Sequence, residues 1–526
     1  MNGGAFDVVL VGGGHNGLTA AAYLARAGLK VVVLEAAERT GGAGVHREIH
    51  PGFHAPALAH LLPALDERVM RDLNLARLGL DAHVAGPATV VLSPDGGTLE
   101  LSPDPDRAAR AVAAQSRRDA EAYPALCKRL QRHAAALRAV FTRTPPTLNA
   151  SSRGDMARLG QMAWAMRRRG RPAMRDFLRI VGMNVADLLD EVLEIPALQG
   201  VFAADAVWGT NHGPRSPNTV FTLLHRMAGG AAGREGRLAW PGGGPERVVN
   251  ALAAAARAAG ADIRTDARVA RIVVEAGAVR GAELEDGSMI SADSVVSSAD
   301  PLTTCAALVG PDHLDADFLR DIRAFRTRGL TGKVNFALER MPALPGAEAG
   351  KALRWVLAPS IDYVEDAFDC AKYGQAPPAP ALEITMPSLH DDTLAPQGKH
   401  VMSVNVAYEP YADEEDASAL QRTVTGLIEP YAPGFGDSVL ACEAMGPRAI
   451  ESTFRIAGGH WHHGDIALDQ FFMLRPVPGF AQYRLPVSGL YLCGAGAHPG
   501  GGMTATAGAN AAAQILRDRR HRRKSA

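Results

Sequence analysis

The sequence predicts an α/β fold: a parallel sheet assembled from separated stretches, a helical insertion between them and a second domain of the α+β kind. Three observations carry this. Within residues 6–35 the chain shows an apolar run, a glycine turn, an alanine-rich helical pattern and a second apolar run ending in an acid. A second block, residues 237–301, repeats a glycine turn, a helical pattern and short strands after a helical middle. A third apolar run at residues 489–493 opens onto "GAGAHPGGGMTATAGANAAA". Alternation of this kind points to one parallel sheet that the chain leaves and rejoins.

"FDVVLV" (Phe6 to Val11) has the continuous apolar character of a buried parallel strand. In the "GGGHNG" that follows, Gly12, Gly14 and Gly17 satisfy G-x-G-x-x-G. "GLTAAAYLARAG" then reads as a helix, with Leu18, Ala21, Ala22 and Ala25 on one small-residue face and Gly28 as its stop. "LKVVVLE" is the second strand, and its final Glu35 stands 18 residues after Gly17. Each part has a task. Gly12 permits the tight turn, Gly14 lets the backbone approach a pyrophosphate, and Gly17 allows the helix to pack closely on the strand. The helix start, with His15 and Asn16, offers free N–H groups to phosphate, and Glu35, followed by Ala36, can accept hydrogen bonds from ribose hydroxyls. In this order and spacing the parts predict a Rossmann-like dinucleotide site.

Composition narrows the class. Hydrophobic residues make up 47% and charged residues 21% of the 526, near the globular average. The formal net charge of −1 supplies no global field toward nucleic acid. Basic clusters at Met166 to Arg175 and Arg517 to Ala526 are the places where a peripheral membrane contact is possible, against the simpler reading of a solvated helix face and a frayed end. The five cysteines, Cys127, Cys305, Cys370, Cys442 and Cys493, form no C-x-x-C pair, which argues against a disulfide framework and a redox dithiol. The first residues lack a signal-peptide pattern and no apolar run is long enough to span a bilayer, so a cytoplasmic location is expected.

The remaining elements divide the chain. Residues 1–103 form the first part of the nucleotide domain, and 104–235 a helical, arginine-rich insertion. Residues 236–301 resume the nucleotide domain: a glycine turn at Gly242 to Gly244, a helix to Gly260, and three or four strands with a turn at Glu285 to Gly287. Residues 302–478 supply a mixed sheet, with strands expected at Thr331 to Glu339, Ala381 to Pro387 and Lys399 to Tyr408. Residues 479–526 return to the nucleotide domain and end in the basic tail.

After Glu35 comes "AAERTGGAG", an R-x-G-G built on Arg39, Gly41 and Gly42. With "VVLVGGGHNGLTAAAYLARAG", "GGAGVHREIHPGFHAPALAHLL", "WPGGGPERVVNALA" and the block from "LDQFFMLRPVPGF" to "GAGAHPGGGMTATAGANAA", it makes the chain resemble, nearly end to end, the phytoene desaturase-like FAD-dependent oxidoreductases. The resemblance implies a discontinuous FAD-binding domain of the glutathione reductase/amine oxidase type with an α+β substrate domain. It also implies non-covalent FAD and hydride removal from a largely apolar small molecule to flavin N5, with oxygen or a quinone as electron acceptor. Many relatives carry a basic residue after the second glycine pair; Ala43 stands there in this chain, so the contact made by that side chain is lost. By the same resemblance Val269 lies beside the adenosine, while Gly494, Gly501, Gly502, Met503 and Thr504 approach the isoalloxazine. No second complete G-x-G-x-x-G unit accompanies the first, which argues against a built-in NAD(P)H site.

No catalytic triad is required, because the flavin performs the hydride chemistry itself. The weak candidates for a chemical role are His498, expected beside the flavin ring, His463 within "GGHWHHGDIALDQ", and His60 on the loop after Gly42, where His54 stands as well. His460, His462, His463 and Asp465 read as a pocket wall or structural cluster in preference to a metal site, and His212 and His225 as structural. Other readings are an amine or amino-acid-derived substrate of secondary metabolism, and a flavin-binding interaction protein with structural FAD. Homo-oligomer formation is compatible with each.

Overall fold

The structure, a computed structural model, describes residues 6–63, 65–80, 88–93, 98–147, 153–229, 238–239, 243–347 and 353–525. Two seven-stranded sheets organise it. In the first, Leu490–Leu492, Met289–Ser297, Phe6–Val11, Val31–Leu34 and Asp262–Arg264 lie side by side in that order, all parallel. The antiparallel strands Val269–Glu275 and Ala278–Leu284 continue from the start of Met289–Ser297. Strands from three separated parts of the chain therefore form one sheet. Each central strand is a run of β-branched and leucine residues because both faces are covered: Val8, Val9, Leu10, Val32, Val33, Val295 and Val296 are fully buried.

The helix His15–Arg26 covers one face and packs against Gly244–Ala258 and Thr506–Ser525. Its alanines bring it close to the sheet, and Gly17 sets the distance. A Cβ there would stand 2.3 Å from the Gly12 carbonyl oxygen, a backbone atom that has no room to retreat. Gly28, at φ +85°, follows the helix end.

The second sheet runs Val439–Met445, Thr331–Leu338, His400–Ala407, Leu382–Thr385, Leu353–Leu357, Ala88–Leu92 and Thr98–Leu101. Only the pairing of Leu353–Leu357 with Ala88–Leu92 is parallel. Alternation sorts its faces. Val334, Phe336, Val404, Val406 and Ile384 point to a core shared with the helix Ala417–Ile428, and residues between them face residues 53–60, Asn335 at the Pro56 carbonyl and Lys333 at His60. The helices Arg117–Phe141, Pro196–Val207 and Thr219–Ala228 form a third packed body beside this sheet.

Two of the expected boundaries shift. Ala88–Leu92 and Thr98–Leu101, placed by the sequence reading in the nucleotide domain, belong to the second sheet, where Val90 and Leu92 pack with Trp355. Residues just after 301, expected in the substrate domain, pack on the nucleotide core through Cys305, Val309, Phe318 and Ile322. The boundary at 235 and Gly242 lie outside the described residues. The basic tail is not frayed: it extends the helix Thr506–Ser525, whose Arg519 pairs with Asp7 at 2.6 Å. The other basic cluster spans the helices Arg153–Arg168 and Arg171–Ile180, with Trp164 and Leu178 exposed beside its arginines.

Gly17→Ala should separate helix from strand and cost about 1–3 kcal/mol, as overpacking does. Urea unfolding measures it, and an unchanged midpoint would show that the helix shifts freely.

Candidate active site

Where the two sheets face each other lies a cavity of about 950 Å³, lined by residues from every part of the chain. Its nucleotide end is made by the two glycine segments. Gly12 adopts φ +90° and its Cβ position lies 2.5 Å from Ser298 Oγ, so a side chain there is refused twice. At Gly14 a Cβ would meet nothing within 4 Å, because it would project into the cavity. That empty approach beside the helix start suits a pyrophosphate. The Gly41 amide donates to the Gly13 carbonyl at 3.0 Å, fastening the second glycine pair to the first. Glu35 accepts from the Gly13 and Ala37 amides at 2.6 and 2.9 Å, which fixes the carboxylate at the cavity edge. Val269 lies along the same wall, with the Arg268–Glu285 ion pair beside it.

The other end is built by the returning chain. Leu490–Leu492 joins the sheet, the Cys493 amide donates to the Ser297 carbonyl, and Gly494 and residues 501–504 then pass along the cavity. One buried guanidinium shapes the loop opposite. Arg475 donates to the carbonyls of His462, Gly464, Asp465, Gln470 and Ala495, and burial lowers its pKa to about 9. So held, His462 accepts the Gly502 amide on Nδ1 at 3.1 Å, and its proton therefore resides on Nε2. Gly501 has no room for a Cβ, which would fall 1.7 Å from that Nδ1. Burial first, then nearby His460, His225, Arg475 and Arg226, keep His462 neutral by moving its pKa well below the usual range.

The second sheet closes the cavity with a polar face. Lys333 stands opposite Asn405, Asn335 opposite Ser403, and Glu383 next to Asn405 across the following strand pair. Lys333 Nζ donates to His60 Nδ1 at 3.1 Å and to Asn405 Oδ1 at 3.0 Å. His60 Nε2 lies 3.1 Å from Glu383 Oε1 and 2.8 Å from Asn405 Nδ2. Glu383 also receives Arg226 at 2.6 Å and Arg354 at 2.7 Å. Burial pushes the Glu383 pKa up, but the two arginines and the His60 bond hold it well below the ordinary carboxylate value. Burial lowers Lys333 to about 7, opposed by Glu383, and lowers His60 to about 4, helped by Lys333.

Of the residues expected at the cofactor, Gly12, Gly14, His15, Asn16, Glu35, Ala36, Gly41, Gly42, Ala43, Val269, Gly494, Gly501, Gly502, Met503 and Thr504 line this one cavity, and so do His60 and His463. Three stand elsewhere. Gly17 is spent on helix packing. Arg39 turns away to Glu246 at 3.0 Å and to the His46 carbonyl. His498 is not among the residues lining the cavity: its Nε2 bonds the Val140 carbonyl at 3.2 Å and Phe141, Phe471 and Phe472 surround it. Its neighbour Pro499 reaches the cavity instead, and His225 donates to the Pro499 carbonyl at 3.1 Å. Trp208, Arg226 and Trp461 lie in the stretches Trp208 to Gly230 and Gly458 to Gln470, whose composition suits a pocket wall; the sequence reading did not single out Glu383 or Asn405, which line the cavity with them, or Lys333 behind them. A signal existed: Lys333 and Asn335, Glu383 and Thr385, Ser403 and Asn405 repeat polar residues at period two inside apolar strands. Among the described residues no group of three or more His, Cys, Asp or Glu gathers for a metal ion, and no helix is long and apolar enough to cross a membrane.

The glycine segments, Glu35 and the closing segment on one cavity define a flavoprotein of the Rossmann-like kind. The chain belongs to the family described as flavin containing amine oxidoreductase, which matches residues 17–516. It is 34% identical to pyridine nucleotide-disulfide oxidoreductase domain-containing protein 2 of Mus musculus, over 98% of this chain and 94% of that one. It is 28% identical to hydroxyneurosporene desaturase of Cereibacter sphaeroides, over 97% of each. A putrescine oxidase variant shares the fold at a TM-score of 0.62 and 16% identity, covering 98% of this chain and 99% of that one. The cofactor is FAD and the protein an FAD-dependent oxidoreductase.

The buried histidines set an acid limit. Burial lowers His60, His225 and His460 to about 4 and His498 to about 3, from 6.5. The unfolded chain therefore binds more protons than the folded one below pH 6.5. Their contribution is complete above that value and is lost as pH falls through about 4. The urea midpoint should drop steeply between pH 6.5 and 4; a flat profile there would contradict neutral burial.

Proposed function

We propose that the chain is an oxidase or desaturase that acts on a largely apolar small molecule, in the manner of the phytoene desaturase-like enzymes. The observation behind this reading is one cavity whose nucleotide end suits FAD and whose other end carries Leu58, Trp208, Leu238, Phe454, Trp461 and Ile466. FAD, when bound, supplies the two-electron acceptor that takes hydride at N5. The protein supplies position and dryness. Trp208 and Trp461, with ring centroids 6.4 Å apart, wall the substrate end and exclude water. Gly501 lets the His462 ring pack directly on the backbone, and Gly502 turns the segment along the cavity at φ +91°. A proton released by the substrate has a route into the protein, because His60 lines the cavity and joins Lys333 behind it. Oxygen or a quinone is the proposed terminal acceptor.

The test is whether the purified chain holds FAD, and which apolar compounds bleach it without air. A yellow protein bleached by an oxidisable apolar substrate is expected. A chain that neither retains nor takes up FAD would end the proposal, and a flavin unmoved by every candidate would favour a structural cofactor. Glu35→Ala should weaken FAD binding by about tenfold, the worth of one or two charge-assisted hydrogen bonds. Equilibrium dialysis reads it, and unchanged affinity would remove Glu35 from the ribose.

A further inference from the structure

The substrate end of the cavity has an imbalance of donors and acceptors. Four carboxylates line the cavity, and each is engaged. Glu35 accepts its two amides, Glu285 pairs with Arg268, and Glu451 accepts from Tyr411 and the Gly458 amide. Glu383 is taken by Arg226, Arg354 and His60. None is left over for an ammonium group.

Donors, by contrast, are left over: the buried indole N–H groups of Trp208 and Trp461 have no described acceptor, and two further side chains stand with them. His462 carries its proton on Nε2, since Nδ1 accepts the Gly502 amide, and no described residue accepts from that Nε2. Arg226 sends Nη2 to Glu383 and Nε to Asp205 at 3.3 Å, and its Nη1 has no described acceptor. Both side chains line the same cavity. The His462 ring lies 6.0 Å from that of Trp461, which lies 6.4 Å from Trp208, and Trp208 ends the helix whose Asp205 pairs with Arg226. The surrounding wall, Trp208, Trp461 and Leu238, is apolar.

Arg226 and Arg354 balance Asp205 and Glu383, so this cluster carries no net negative charge to oppose an anion. Arginine and a neutral imidazole N–H together suit a carboxylate, which accepts on two oxygens.

We propose that Arg226 and His462 recognise a carboxylate group, so that the substrate is a carboxylic acid with an apolar body. This rests on the reading that the substrate occupies this end of the flavin cavity.

The experiment uses the full chain loaded with FAD and three probes of equal length: octanoate, octan-1-ol and octan-1-amine. Isothermal calorimetry should show octanoate binding about tenfold or more tightly than either of the others. Arg226→Lys keeps the charge against Glu383 but loses the fork. His462→Asn keeps an acceptor for the Gly502 amide but loses the Nε2 donor. Each should weaken octanoate about tenfold while octan-1-ol affinity and FAD content stay as they were. Octan-1-amine binding as tightly as octanoate would overturn the proposal. So would losses shared equally by all three probes, or a His462→Asn variant that loses FAD and keeps octanoate. FAD content, read separately by absorbance after heat release, reports on the flavin reading alone, so the two failures are told apart.

Discussion

The structure depends on the parallel pairing of Met289–Ser297 with Phe6–Val11 on one side and Leu490–Leu492 on the other. This one strand joins stretches that are hundreds of residues apart, and the residues that follow it, Ser298 and Ala299, line the cavity. Ser298, the next residue, bonds the Val11 and Gly12 carbonyls through Oγ at 3.0 Å, locking the glycine turn from the side. Ser297 receives the Cys493 amide, which starts the closing segment at the right level. The cavity thus lies at the carboxyl ends of parallel strands, where open α/β sheets bind their ligands.

The second sheet and the helical body contribute through charge. Asp205, Arg226, Arg354 and Glu383 come from two helices and two strands and meet as a compensated cluster, with Arg354 and Glu383 almost fully buried. Such groups gain little net stability from pairing, since desolvation offsets the attraction, but removing one partner typically costs about 3–5 kcal/mol. The cluster therefore makes one arrangement of helix against sheet much better than its alternatives. Arg475 acts likewise on a smaller scale: its five carbonyl acceptors hold residues 462–470 and Ala495 in one relation, and through them His462 against Gly502.

The nucleotide end of the site was legible in the sequence because its demands are local. A turn that admits only glycine, a helix start and an acid at a fixed distance leave a readable pattern, and Gly12, Gly14 and Glu35 stand where that pattern puts them. The closing segment was legible for the same reason. The setting of His498 was not legible, because Val140, whose carbonyl its ring bonds, lies more than three hundred residues upstream. The polar face of the second sheet was harder still. Period-two polar residues in a strand usually face water, and Lys333, Asn335 and Glu383 took that form while being buried against one another. Arg39 illustrates the converse: a motif position next to a glycine pair, but with Glu246 within reach it pairs there.

The closing strand also governs the order in which the molecule can be made. Domains usually fold as units while the chain emerges, beginning with the earliest residues. Here the strand Phe6–Val11 leaves the ribosome hundreds of residues before the strand Leu490–Leu492 and the helix carrying Arg519, which grips Asp7. At about 5–20 residues per second, the first strands wait roughly half a minute to a minute and a half for their partners. The site for the cofactor is therefore completed only late in synthesis. During that interval the apolar strands of the unfinished sheet depend on chaperones, or on provisional pairing with Met289–Ser297, to stay out of aggregates.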